Sequence, residues 1–163
     1  MRKALPFRAL GFIPAGEVWS SAKGRNEMPL MVWNDKLSVG IAQFDEEHKQ
    51  LVALVNELFD AVQAGRSKEA LGGILDSLVA YTKSHFTHEE EHFARLGYPD
   101  RDAHKAEHDA LASQVLEVQR KYHAGVTATL SMEVMNFLKN WLIKHIQGTD
   151  KKYGPFLKEK GVA

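Results

Sequence analysis

Apolar residues recur every three or four positions through four segments of this chain, and strict alternation is essentially absent. That period predicts amphipathic α-helices, each with one stripe to bury. The first covers about 45–64, with His48, Leu51, Val52, Val55, Leu58, Phe59 and Val62 on one stripe, and Gly65 ends it. The second runs from Ser67 to Leu96 and turns Ile74, Leu75, Leu78, Thr82, His85, Phe86, Glu89 and Phe93 inward. Gly97-Tyr98-Pro99-Asp100 then reads as a turn. The third, about 102–122, carries His104, His108, Leu111, Val115 and Val118, with Gly125 in the loop after it. The fourth starts at Ser131, an N-cap residue, and carries Val134, Phe137, Leu138, Trp141, Leu142, His145 and Ile146. Gly148 is expected to stop it. Short loops between four such helices predict an all-α fold, an up-down-up-down four-helix bundle. Residues 31–44 lack this period and predict an N-terminal arm that packs Trp33 on the bundle.

Composition sharpens the boundaries. The chain has 163 residues, enough for one domain with a sizeable core. Residues 1–27 hold five basic and two acidic residues and no helical period, so the regular part is expected to be one domain, 28–163. Arg8 and Glu17 interrupt what a signal peptide would keep apolar, and Met28-Pro29 would make an ordinary start. The extension therefore reads as an upstream start or a disordered tail, and the protein as cytoplasmic. Lys and Arg balance Asp and Glu at 21 each, which argues against a nucleic-acid partner held by charge. No apolar run approaches a membrane span. Cysteine is absent, so thiolate zinc sites and iron–sulfur clusters are excluded, and any metal must be held by nitrogen and oxygen.

Histidine placement carries the chemistry. His85 and Glu89 are four apart, as are His104 and His108, so each pair leaves one helix face. His48 begins the first stripe and His145 closes the fourth. Antiparallel packing gathers all of these at one end of the bundle. Asp150, five residues after His145, is about 140° out of phase on a continuous helix. A backbone turn at Gly148 is expected to swing it back. His48, His85, Glu89, His104, His108, His145 and Asp150 are thus seven candidate metal ligands, too many for one transition-metal ion and suited to two that share carboxylates. Burying them without metal would strand polar atoms at several kcal/mol. Iron, zinc and manganese all remain open on spacing alone. His92 reads as structural or supporting, while His88 and His123 fall off the stripes and are expected to face solvent.

These residues form patterns that resemble the hemerythrins, most closely the single-domain bacteriohemerythrins. The matching motifs are His85-Phe86-x-x-Glu89-Glu90, Tyr98-Pro99-x4-His104-x3-His108, and His145-x4-Asp150 with Lys151 and Tyr153. Trp33 and Phe44-Asp45-x-x-His48 fit as well, and the likeness covers about 31–157. The resemblance implies two iron ions with an oxo or hydroxo bridge and O2 as ligand. One iron would take His104, His108 and His145, and the other His48 and His85 with an open position; Glu89 and Asp150 would bridge. Trp141, Leu142 and Ile146 would form the O2 pocket. Reversible O2 binding for transport, storage or delivery in a bacterial cell follows as the expectation, in a monomer without enzymatic activity. Three other uses of such a site remain open: an oxidase or peroxidase, an O2-sensing module, and iron storage.

Overall fold

The computed structural model describes residues 28–126 and 130–162; the reading of 1–27 falls outside them. Helices α1 (Ala42–Gln63), α2 (Lys68–Leu96), α3 (Arg101–His123) and α4 (Met132–His145) form the bundle, and α5 (Lys151–Glu159) follows. No strand occurs among the described residues. The expected helices lie within about three residues of the observed ends, except at the close of the fourth.

Local chemistry sets those ends. The Ser67 hydroxyl accepts from the Ala70 amide and the Ser131 hydroxyl from Val134, which caps α2 and α4. Gly97 takes a left-handed φ of 73°, and its amide and that of Tyr98 both reach the Phe93 carbonyl. That geometry ends α2 cleanly and starts the turn into α3.

In the core, α1 packs on α2 and α4, and α2 on α3. Leu51, Val55, Leu58, Leu75, Leu78, Leu111, Val115, Met135 and Leu138 are buried. Phe59, Val62, Ile74, Val118, Val134 and Phe137, expected inward, are only partly buried and flank this core.

The arm is ordered. A short 3₁₀ turn, Asp35–Leu37, precedes α1, and the Asn56 side chain hydrogen-bonds both the N–H and the C=O of Met31. Asp45 accepts from the Ser38 hydroxyl and the Val39 amide, which fixes the entry to α1. Trp33 packs against the core, with Lys49 Nζ 5.5 Å above its ring. On the other side of the arm, a Cβ at Gly154 would collide with the Val39 carbonyl, so glycine there lets α5 seat directly on the arm.

The close of the fourth helix corrects the sequence reading. Gly148 does not break it: the backbone passes through a π-turn, Ile146–Asp150, and continues into α5. Gly148 keeps a negative φ, so its conformational freedom is not used. Among the described residues, no helix is long and apolar enough to cross a membrane.

Candidate metal centre

All seven sequence-predicted residues converge at one end of the bundle, and all are buried. Each of the four helices supplies at least one histidine, since the site rides on the same stripes as the core. The widened turn after α4 supplies Asp150. A turn closed at the fifth residue rather than the fourth brings Asp150 back under His145.

The donor atoms fall into two overlapping groups. Glu89, His104, His108, His145 and Asp150 make one, and His48, His85, Glu89 and Asp150 the other. Each carboxylate turns a different oxygen to each group. Glu89 Oε2 lies 3.3 Å from His104 Nε2 and 3.2 Å from His108 Nε2, while its Oε1 lies 3.5 Å from His85 Nε2. Asp150 Oδ1 lies 3.0 Å from His145 Nε2 and 3.2 Å from His104 Nε2, and its Oδ2 lies 3.2 Å from His48 Nε2.

Hydrogen bonding does not account for this cluster. His108 Nε2 is 3.0 Å from His104 Nε2 and 3.1 Å from His145 Nε2, a crowd of like atoms that protons alone satisfy poorly. Both Asp150 oxygens, Glu89 Oε2 and both His48 nitrogens are buried without an aligned hydrogen-bond partner. Buried polar atoms in such number call for another partner. Five imidazole nitrogens and two shareable carboxylates fit a pair of first-row metal ions, and iron suits that donor set.

Charge is distributed to match. Burial and the Asp150 charge push Glu89 up, but the imidazoles of His85, His104 and His108 more than reverse this and hold it below the usual carboxylate range. Burial lowers His104, while hydrogen bonding and charge from Asp150 and Glu89 carry it to about 9. A metal held at His104 would compete with a proton for the same nitrogen.

A ring of outer residues, absent from the sequence reading as site members, supports the histidines. His85 Nδ1 donates to Glu47 Oε2 at 2.8 Å, His108 Nδ1 to Glu90 Oε1 at 3.1 Å, and His145 Nδ1 to Glu107 Oε2 at 3.1 Å. Tyr153, fully buried, donates its hydroxyl to Glu89 Oε1. A signal for the carboxylates does exist in the sequence: each stands next to a candidate ligand, as Glu47-His48, Glu89-Glu90 and Glu107-His108.

Remaining histidines lie outside both groups. His88 was expected to face solvent but is half-buried, its Nδ1 donating to Glu47 Oε1 at 2.9 Å. His92 Nδ1 donates to the His88 carbonyl, and its ring meets Phe44 edge-on. His123 is exposed and pairs with Asp76 at 2.7 Å.

An apolar cavity of about 30 Å³ adjoins the cluster, lined in part by Leu51, Thr82, Phe86, Leu111, Trp141 and Leu142. Phe86 stacks on His108 with ring centroids 3.7 Å apart, and Trp141 stacks on His145 at 4.5 Å. Ile146, expected beside Trp141 and Leu142, is fully buried but is not part of this lining.

The chain is similar to known proteins over most of its length. Residues 39–157 match the Hemerythrin HHE cation binding domain. The bacteriohemerythrin of Methylococcus capsulatus is 38% identical over 80% of this chain and 98% of its own length. That of Stenotrophomonas maltophilia is 37% identical over 80% of this chain and 84% of its own. A wild-type hemerythrin crystal structure superposes with a TM-score of 0.73 at 37% identity, covering 77% of this chain and 96% of that one. With this match and these residues in place, the chain belongs to the hemerythrin family.

Proposed function

We propose that this protein binds O2 reversibly at a pair of iron ions and serves O2 transport, storage or delivery in the cytoplasm of a bacterial cell, as a monomer. One observation carries the reading: two donor groups that share Glu89 and Asp150, with one carboxylate oxygen turned to each. His104, His108 and His145 would hold one ion and His48 and His85 the other, which leaves the second with fewer protein donors and room for a ligand. Iron, when bound, supplies the electrons that reversible O2 uptake needs.

The chain's own residues set how that chemistry ends. Five imidazoles, uncharged once they hold metal, and only two carboxylates would leave little anionic charge at the centre to drive O–O cleavage. No ionisable side chain lines the adjoining cavity, and the Thr82 hydroxyl is committed to the Leu78 carbonyl at 2.8 Å. This wall therefore offers no proton donor for irreversible O2 reduction, which supports a carrier over an oxidase. Leu142, Trp141 and Phe86 keep the approach apolar and exclude water.

The test is the visible spectrum of anaerobically reduced, iron-loaded protein before air, after air and after argon sparging. A charge-transfer band that appears with O2 and fades on its removal is expected. Irreversible conversion to a ferric spectrum would replace the carrier reading with an oxidase.

A further inference from the structure

The outer carboxylates follow a rule around the bundle. Glu47 on α1 reaches His85 on α2, Glu90 on α2 reaches His108 on α3, and Glu107 on α3 reaches His145 at the end of α4. Each therefore serves the next helix in the chain, not its own. Helical geometry explains this: the neighbour of an inward residue is turned about 100° around the axis, from the bundle centre to the seam with the adjacent helix. A glutamate beside a ligand on one helix thus meets the outward nitrogen of a ligand on the next.

We propose that Glu47, Glu90 and Glu107 are positioning residues, each fixing across one helix seam the ring orientation and Nδ1–H tautomer of a metal-binding histidine. Accepting the Nδ1 proton commits Nε2 to the centre as a bare lone pair, the form a metal requires. The proposal rests on the metal-binding reading of the seven inner residues.

Geometry around each carboxylate supports this role. Glu47 is largely buried, and its second oxygen is held by His88 Nδ1 at 2.9 Å and by the Gln43 amide at 3.0 Å. Glu90 is steadied by Lys105 Nζ at 3.6 Å. Glu107 does the most: the oxygen that accepts from His145 also accepts from the Thr149 hydroxyl at 2.8 Å. It therefore ties α3 to the π-turn and fixes the segment that delivers Asp150. The rule breaks at the seam between α4 and α1. His145 is flanked by Lys144 and Ile146, and His48 Nδ1 has no hydrogen-bond partner. His48 and His104 are thus inner histidines whose Nδ1 no carboxylate holds, and His48 belongs to the group with fewer donors.

The experiment compares Glu47→Ala, Glu90→Ala and Glu107→Ala with the matching Gln variants, whose amide oxygen still accepts an N–H. Three readouts are taken: iron retained over time in a chelator, the melting temperature of the iron-free chain, and ¹⁵N–¹H spectra of its histidines. Each Ala variant should lose iron at least about 10-fold faster than the parent. Each Gln variant should stay within about 3-fold of the parent. Iron-free melting temperatures of the Ala variants should fall only modestly and without tracking the loss of retention from one variant to the next. In the spectra, the hydrogen-bonded Nδ1–H of His85, His108 or His145 should vanish in the corresponding Ala variant alone. Thr149→Val should weaken retention as Glu107→Ala does, by a smaller factor.

Ala variants that keep iron like the parent overturn the proposal. Gln variants as poor as Ala overturn it too, as does a melting temperature that falls in step with retention. A parent that binds no iron removes the proposed function instead; the histidine spectra then still decide the positioning role, because they need no metal.

Discussion

The two ends of this bundle are built from the same four helices and obey opposite rules. At one end Leu58, Leu75 and Met135 are fully buried among apolar neighbours. At the other the same stripes bury five imidazoles and two carboxylates, several of whose atoms lack hydrogen-bond partners. The difference teaches a division of labour. Apolar packing holds the helices in register, so that the polar end can keep its donors aimed at common points without being held together by them.

The sharpest way to break the comparison is at the polar end. His108→Ala removes a donor from the three-histidine group and should cost the chain iron, measured as bound metal per chain, while the helical circular dichroism of the iron-free protein stays intact. Unchanged iron content would remove His108 from the site. Leu58→Ala tests the other end and should lower unfolding free energy by about 2–5 kcal/mol in denaturant titration. Iron per folded chain should not change; if it falls, the two ends are not separable. At the junction, Leu142→Ala enlarges the cavity beside the cluster and should speed autoxidation several-fold at constant iron content. Loss of iron instead would show that the cavity wall also holds the ligands. The smallest effect is expected at Gly148, which is exposed, has open space where a Cβ would sit and keeps an ordinary φ. Gly148→Ala should raise stability by about 0.5–1 kcal/mol in denaturant titration. A clear destabilisation would mean that the π-turn needs glycine after all.

That last variant marks where the sequence stopped being readable. The four helices and the convergence of the seven polar residues were legible because both ride on one period. An inward residue is inward whether it is Leu78 or His85. Asp150 was legible as a donor but not in its delivery. Gly148 suggested a break, whereas a π-turn is selected by tertiary contacts, among them the Thr149–Glu107 bond to another helix. The outer glutamates were hidden for a related reason. Glu47, Glu90 and Glu107 look like members of a solvated face, and only the packed seam reveals which histidine each one meets. Met135, fully buried, fell one position away from Val134, which was expected inward and is only half-buried, a phase error of one residue on a short helix.

Shared carboxylates on separate helices have a consequence beyond ligand binding. This chain contains no cysteine and so has no disulfide to restrain it. Its candidate donors begin near the start of α1 and end after α4, so an ion held at both His48 and Asp150 would close nearly the whole bundle into one loop. Such a closure acts as a removable cross-link on the folded chain, whose binding free energy adds to the stability of the assembled bundle. Iron loading should thus retard the opening of the bundle far more than it hastens its formation, because the last donor joins only when the helices have already assembled.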